Sequence, residues 1–138
     1  MQLFNEKLRL QPNLTIMKLI YTLFFALLSF SSWSQTLETQ LSKSYSKEEI
    51  AQFKAENSLP LYAYAIEHGC YLIDVPQGKD VSGFPTVKVI GETVPLDFTY
   101  YHFKLTDRTQ YFQIEGSTRI LAVKSKNVLS LEMKNQKK

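Results

Sequence analysis

Four residues of this chain have side chains that suggest catalysis: His68, Cys70, Asp74 and His102. A cysteine becomes a nucleophile when a nearby base or positive field stabilises its thiolate. His68, however, falls in a predicted turn, whereas Cys70 begins a predicted strand. The pattern favours Cys70 as a small, inert core residue, which is the usual role of a free cysteine. An enzyme centred on Cys70 and His102 is the alternative.

Metal and cofactor binding have less support. The chain contains two histidines and one cysteine, and they lack the repeated spacing of zinc ligands. It has no Gly-rich phosphate loop, no G-x-S-x-G and no H-E-x-x-H motif. The sequence therefore predicts no catalytic residue, no metal and no cofactor.

The N-terminal third has the pattern of an export signal. Lys18 precedes the uncharged apolar run Leu19–Phe30, and small residues follow it. Ser32 and Ser34 suit the −3 and −1 positions of a cleavage site. A membrane-spanning helix needs about 20 apolar residues, so the run is too short to span. We therefore predict a signal peptide over residues 1–34, with an uncleaved anchor or a buried core helix as the alternatives.

The cysteine usage agrees with export. Cys70 is the only cysteine, so the chain has no internal disulfide. It also lies far from the predicted cleavage site, where a bacterial lipoprotein carries its lipidated cysteine. We expect an exported protein, periplasmic or secreted, that is not a lipoprotein. Met17 is an alternative start of the signal peptide.

The charge of the chain does not indicate a nucleic-acid partner. It has 16 basic and 13 acidic residues, but most of the basic excess falls in the predicted signal. The remainder is nearly neutral, and its basic residues cluster only in a tail, residues 134–138. Nucleic-acid-binding domains carry a basic patch, so no nucleic-acid partner is expected. No membrane span is expected after signal cleavage.

Downstream of the signal, the pattern predicts a single α+β domain over residues 46–133. Residues 35–45 are polar and are expected to form a flexible segment. Ser46, followed three residues later by a glutamate, has the capping-box arrangement that begins a helix. Pro60 disfavours helical geometry at the residue before it, so this helix should end before that point.

The rest of the domain is predicted to be β-structure. Short apolar and aromatic runs separated by Gly, Pro and polar residues are typical of strands joined by turns. The runs are 61–67, 70–75, 86–90, 98–105, 110–114, 120–124 and 128–133. His68-Gly69 suits a hairpin turn, and the last run also suits a short closing helix. The predicted fold is one N-terminal helix packed on an antiparallel sheet of about six short strands.

A half-exposed tyrosine surface is the most informative candidate site. Strand alternation puts every second residue of 98–105 on one face, and a neighbouring hairpin strand extends that face. The candidate binding residues are Tyr100, His102, Lys104, Tyr111 and Gln113. The opposite face has Phe103 and Phe112 to meet the helix. Tyrosine rings bind while their hydroxyls stay hydrated, so such surfaces recognise peptides and sugars, although they also simply cover sheets.

Two stretches carry a family resemblance: Trp33-Ser34-Gln35 and the run from Tyr111 to Ser125. They resemble small exported proteins of unknown function from Bacteroidota-type bacteria, which implies a compartment and no activity. The first hypothesis is a non-enzymatic binding or interaction module of the cell envelope or secreted space. Its partner would be a protein, peptide or glycan. The alternatives are a small extracytoplasmic enzyme with a site around Cys70 and His102, and a structural accessory subunit.

Overall fold

The computed structural model describes residues 14–138, and the side chains of residues 14 and 26–35 lie outside that description. In the described residues, four helices and four strands follow one another: α1 Leu14–Leu41, α2 Lys47–Ala55, α3 Leu59–His68, β1 Cys70–Asp74, β2 Thr86–Val87, β3 Gln110–Ile114, β4 Arg119–Val123 and α4 Lys126–Gln136. The strands form one sheet in the order β1-β4-β3-β2. The fold class is α+β, as predicted.

The chain divides into two compact units, Met1–Leu37 and Glu38–Lys138. The predicted signal peptide begins outside the described residues and continues within α1. In the first unit, the large apolar side chains described between Ile16 and Phe25 are exposed. In the part of the chain that the structure describes, no helix combines the length and apolar character needed to cross a membrane.

The sheet is mixed rather than purely antiparallel, which corrects the prediction. Strand β4 lies between β1 and β3 and is antiparallel to both. The short edge strand β2 runs parallel to β3. A parallel pair needs a connection of a dozen residues or more, and residues 88–109 supply one. Consecutive residues Ile120–Val123 are all buried, as expected for a strand covered on both faces.

Residues 61–67 are helical, which corrects the predicted strand. Helix α3 has Pro60 in its first turn, where a proline loses no hydrogen bond. Tyr62 and Ala65 are both buried, and their spacing of three residues forms a helical stripe. Gly69 caps this helix instead of turning a hairpin. A Cβ at Gly69 would collide with the Ala65 carbonyl oxygen, so glycine is required there.

The last apolar run, residues 128–133, belongs to helix α4. A short helix was the alternative to the strand predicted there. Ser125 begins it by accepting a hydrogen bond from the backbone N–H of Val128 at 3.3 Å. Leu129 is fully buried, and Glu132 accepts a hydrogen bond from the Tyr64 hydroxyl at 3.3 Å. The helix is thereby held against α3. The predicted basic tail begins inside α4, which continues to Gln136.

Residues 98–102 form successive turns and residues 103–105 are irregular, which corrects another predicted strand; we call the two stretches together the 98–105 turns. Asp97 accepts hydrogen bonds from the backbone N–H of Thr99 at 2.8 Å and from its hydroxyl at 2.7 Å. The N–H of Phe103 donates to the carbonyl oxygen of Phe98 at 3.1 Å. Such local bonds compete with strand pairing. In the described residues the fold therefore has four strands rather than about six, and four helices rather than one.

The capping box predicted at Ser46 is confirmed. The Ser46 hydroxyl accepts from the backbone N–H of Glu49 at 3.2 Å, and the Glu49 carboxylate accepts from the backbone N–H of Ser46 at 2.8 Å. Helix α2 then docks through Phe53, whose ring stacks on that of Tyr62 with centroids 4.0 Å apart. The predicted helix therefore forms, but Phe53 packs on α3 and not on the sheet as predicted.

Tyr45 organises an aromatic cluster where α2, α3 and the 98–105 turns meet. Its ring makes edge-to-face contacts with Phe53, Tyr62 and Phe98, at centroid distances of 5.0, 5.4 and 6.5 Å. Its hydroxyl accepts a hydrogen bond from the buried backbone N–H of Leu105 at 2.7 Å. One side chain thus fixes the helices and the turns together.

The segment 35–45, expected to be flexible, contributes to this core. Leu41 is fully buried and Tyr45 is buried. The Gln40 amide donates to Asp97 at 3.2 Å. The segment is polar in composition, but its apolar residues Leu37, Leu41 and Tyr45 are buried, and overall polarity conceals such isolated anchors.

Candidate functional site

The structure places the five predicted binding residues in two groups. Tyr111 and Gln113 share one face of β3, because successive side chains of a strand alternate between faces. Tyr100, His102 and Lys104 lie in the turns that follow Asp97. Since no strand carries the second group, strand alternation does not join it to the first.

The polar members of the turn group bind to the domain itself. The Nδ1 of His102 donates to the carbonyl oxygen of Lys43 at 2.8 Å. The Lys104 ammonium bonds both carboxylate oxygens of Glu49, at 2.7 and 3.0 Å, and lies 5.6 Å from the centre of the Tyr45 ring. The hydrogen bond from Lys104 is the main cause that holds the pKa of Glu49 below its usual value. These contacts attach the turns to α2 and to the segment just before it.

The predicted core pair does meet. Phe103 stacks on Phe112 with centroids 4.1 Å apart and the rings nearly parallel. Phe112 is buried in β3, whereas Phe103 reaches it from a turn. Of the two predicted core residues, Phe112 is therefore buried as expected, whereas Phe103 is only half-buried and lies outside any strand.

The opposite face of the sheet carries two exposed tyrosines. Tyr71 of β1 and Tyr111 of β3 both pair in register with Ala122 of β4. Ala122 is fully buried, whereas each tyrosine is 37% exposed. Burial against the sheet, and then the neighbouring Tyr111, raises the pKa of Tyr71. The two rings thus flank the central strand and cover it.

A third ring extends this pair beyond β3. Phe84 is 38% exposed, and its ring centre lies 5.6 Å from that of Tyr111. Gln113 holds the loop that carries it, because its amide donates to the carbonyl oxygens of Val81 at 2.5 Å and Phe84 at 2.9 Å. The N–H of Gln113 also donates to the Pro85 carbonyl oxygen at 2.7 Å. We call Phe84, Tyr111 and Tyr71 the aromatic row.

An ion pair closes the Tyr71 end of the aromatic row. The Lys124 ammonium lies 5.8 Å from the centre of the Tyr71 ring. It bonds both carboxylate oxygens of Glu132, at 2.9 and 3.0 Å. The same carboxylate accepts from the Tyr64 hydroxyl. The row is therefore bordered by a cation whose charge is already neutralised.

The structure does not assemble the alternative catalytic group. Cys70 is buried, and burial, followed by the charge of Asp97, raises the pKa of its thiol to about 12. The Nε2 of His68 lies 3.6 Å from a carboxylate oxygen of Glu67. The ring of His102 is hydrogen-bonded to the carbonyl oxygen of Lys43. Among residues 14–138, no group of three or more His, Cys, Asp and Glu side chains lies close enough to hold a metal.

Alkaline pH should destabilise the domain partly through Cys70. The thiol ionises near pH 9 in the unfolded chain and near pH 12 in the folded one. Between these values the unfolded chain binds fewer protons, so the free energy of unfolding falls as the pH rises. Urea denaturation of the wild type and Cys70→Ala between pH 8 and 11 measures the difference. In Cys70→Ala the free energy of unfolding should fall less steeply with pH. The difference in slope should correspond to at most one bound proton per molecule. Rapid thiol labelling of the native protein at neutral pH would contradict the burial on which this rests.

The sequence predicted Tyr111 and Gln113 as parts of a binding surface, but it did not predict the other two rings of the aromatic row, Tyr71 and Phe84. Tyr111 and Gln113 were chosen for their alternation within one strand. Tyr71 was missed because it is a neighbour of Tyr111 only through the strand order β1-β4-β3. Phe84 was missed because it lies in a loop. Its one local signal was an aromatic residue in an otherwise polar, Gly-containing stretch.

Comparison with known proteins adds no relative to this picture. No family model, curated protein or solved structure matches the chain. A function must therefore be argued from the site itself. The geometry that bears on it is a row of exposed aromatic rings on a fixed sheet face.

Proposed function

We propose that the chain is an exported, non-enzymatic binding module and that the aromatic row is its capture surface. The observation that carries this proposal is the contiguity of Phe84, Tyr111 and Tyr71, each more than a third exposed. Exposed aromatic side chains supply large contact area at a binding surface, and the tyrosine hydroxyl remains hydrated. Contiguous exposed apolar area of this kind marks interaction sites.

The row is held in place before any ligand arrives. Tyr71 and Tyr111 project from paired strands, and the Gln113 amide fixes the backbone of Phe84. Rigid placement lowers the entropy lost when a ligand binds. Gln113, a predicted binding residue, thus acts in this proposal as a positioning residue.

The state of Cys70 supports binding over catalysis. With a pKa of about 12, its thiol is protonated at neutral pH, whereas the thiolate is the nucleophile. The charge of the Asp97 carboxylate disfavours the Cys70 thiolate further. An enzyme built on Cys70 and His102 would need the opposite electrostatics.

Export, to the periplasm or the medium and without a lipid anchor, rests on the signal pattern around Lys18 and Leu19–Phe30. It agrees with the resemblance to small exported proteins of Bacteroidota-type bacteria. Intact mass of the protein from its native host should correspond to a chain beginning at Gln35. A mass that retains residues 17–34 would contradict cleavage and support an anchor.

Capture by the aromatic row is tested with a double variant, Tyr71→Leu with Tyr111→Leu. Leucine keeps apolar cover over Ala122 while removing the rings, so stability should change by no more than about 1 kcal/mol. Binding is measured against a displayed peptide library and an oligosaccharide panel. We expect the double variant to lose the binding that the wild type shows. The matched control is Tyr100→Leu, since Tyr100 is equally exposed but outside the row. Wild-type binding by the double variant would refute the proposal.

A further inference from the structure

We infer that the ligand of the aromatic row is a neutral oligosaccharide. This inference rests on the proposed function and goes beyond it by naming the class of ligand. Three features carry it: the pairing of the charges around the sheet, the direction of the row across the strands, and the polar groups at its edge.

Two ion pairs within the chain flank the face of the sheet that carries the row. Lys124 pairs with Glu132 at the Tyr71 end. At the ends of β2 and β3, Lys88 pairs with Glu115 at 3.8 Å. An anionic or cationic ligand at the row would have to compete with one of these pairs. A neutral ligand has no such competition, so the charge pattern complements an uncharged molecule.

The row runs across the strands instead of along them. Neighbouring strands lie about 4.8 Å apart, and β4 separates Tyr71 from Tyr111. Tyr71 and Tyr111 therefore start from strands about 10 Å apart, and the Phe84 ring lies 5.6 Å from the Tyr111 ring on its other side. A peptide captured by strand addition would follow the sheet edge. An oligosaccharide has no strand direction to match, and successive sugar rings can lie over successive aromatic rings.

The chemistry of the row suits a sugar. The C–H faces of a pyranose are apolar and fit aromatic rings, while its hydroxyls need hydrogen-bonding groups at the rim, as polar groups orient ligands in other sites. The hydroxyl of Tyr111 lies within the row. Thr86, exposed and in register with Gln113, adds a second hydroxyl at the edge of the same face.

The test uses the protein purified from its native host and calorimetric titration with neutral hexasaccharides of β-1,4-glucan, β-1,4-xylan, β-1,4-mannan, α-1,4-glucan and chitin. At least one should bind. Tyr111→Leu should weaken that binding by about tenfold or more, a factor equivalent to 1.4 kcal/mol, and Leu131→Ala, at an exposed position of α4 outside the row, should leave it unchanged. Because the ligand is uncharged, affinity should be nearly independent of salt concentration.

The outcomes separate this inference from the function it rests on. If none of the hexasaccharides binds, or if a polyuronate binds better and in a salt-dependent way, the inference is wrong. If a peptide binds through Tyr111 and no saccharide does, the binding module stands and the saccharide falls. If no binding of either kind depends on Tyr71 and Tyr111, the proposed function falls as well.

Discussion

Replacing Phe98 with alanine should lower the free energy of unfolding by about 3 to 5 kcal/mol. Phe98 is fully buried and meets the Tyr45 ring edge-to-face, so truncation removes apolar burial and leaves a cavity. Its carbonyl oxygen also accepts from Phe103, which ties the backbone to the same site. Domains of this size are stable by about 5 to 15 kcal/mol, so the loss is a large share of the total. Urea denaturation followed by circular dichroism measures it.

Phe84→Ala is the matched control for Phe98. It deletes the same atoms from a loop position that is 38% exposed. Its cost should stay within about 1 kcal/mol, since exposed positions contribute little to stability. Equal losses in the two variants would show that the 98–105 turns do not belong to the core.

Leu41→Ala is expected to cost about 2 to 5 kcal/mol. Leu41 ends α1 and is fully buried, in a segment whose composition is otherwise polar. The control is Leu131→Ala, the same substitution at a helical position whose side chain is 61% exposed. That control carries the small loss of helix propensity common to exposed helical positions without loss of burial. The free energies of unfolding of the two variants are compared by the same denaturation.

A small effect of Leu41→Ala, equal to that of Leu131→Ala, would contradict this placement. It would restore the expectation that residues 35–45 form a flexible segment outside the folded unit. The expected difference between the variants would instead show that Leu41 belongs to the folded unit, Glu38–Lys138. The measurement thus decides how much of the chain a stable fragment must contain.

Local signals predicted the elements that local bonds determine. The capping box at Ser46 requires only residues three apart and was correct. Strands β1 and β3 were also found, with bounds close to those observed. Each of these elements has a composition that agrees with its final environment, so short-range reasoning was sufficient.

Helix α3 shows where local reasoning failed. Its sequence, LPLYAYAIEH, alternates aromatic and small residues and so also fits a strand. Helix α2 ends at Ala55, and Pro60 lies in the first turn of α3, whereas the sequence was interpreted only as ending the first helix before Pro60. The contacts that settle the matter, such as Phe53 on Tyr62 and Glu132 on Tyr64, join residues far apart in the chain or in different elements. Their effect is absent from any local pattern.

The candidate site was predictable to the same extent. Tyr111 and Gln113 share a face by strand alternation alone. Tyr111 and Tyr71 share a face of the sheet because β4 lies between their strands. Tyr111 contacts Phe84 because the Gln113 amide holds the loop that carries Phe84. Strand order and loop placement are tertiary properties, and no spacing along the chain encodes them.

The position of β4 also affects when this protein can fold. Strand β4 is the last strand in the chain, yet both β1 and β3 obtain their antiparallel partner from it. Until Arg119–Val123 has been synthesised, β1 has no strand to pair with and the sheet has no centre. Long-range pairing of this kind delays folding until the distant segments are both available. The sheet of this protein can therefore be completed only after its last strand has become available, so its assembly depends on contacts between segments that lie far apart in the chain.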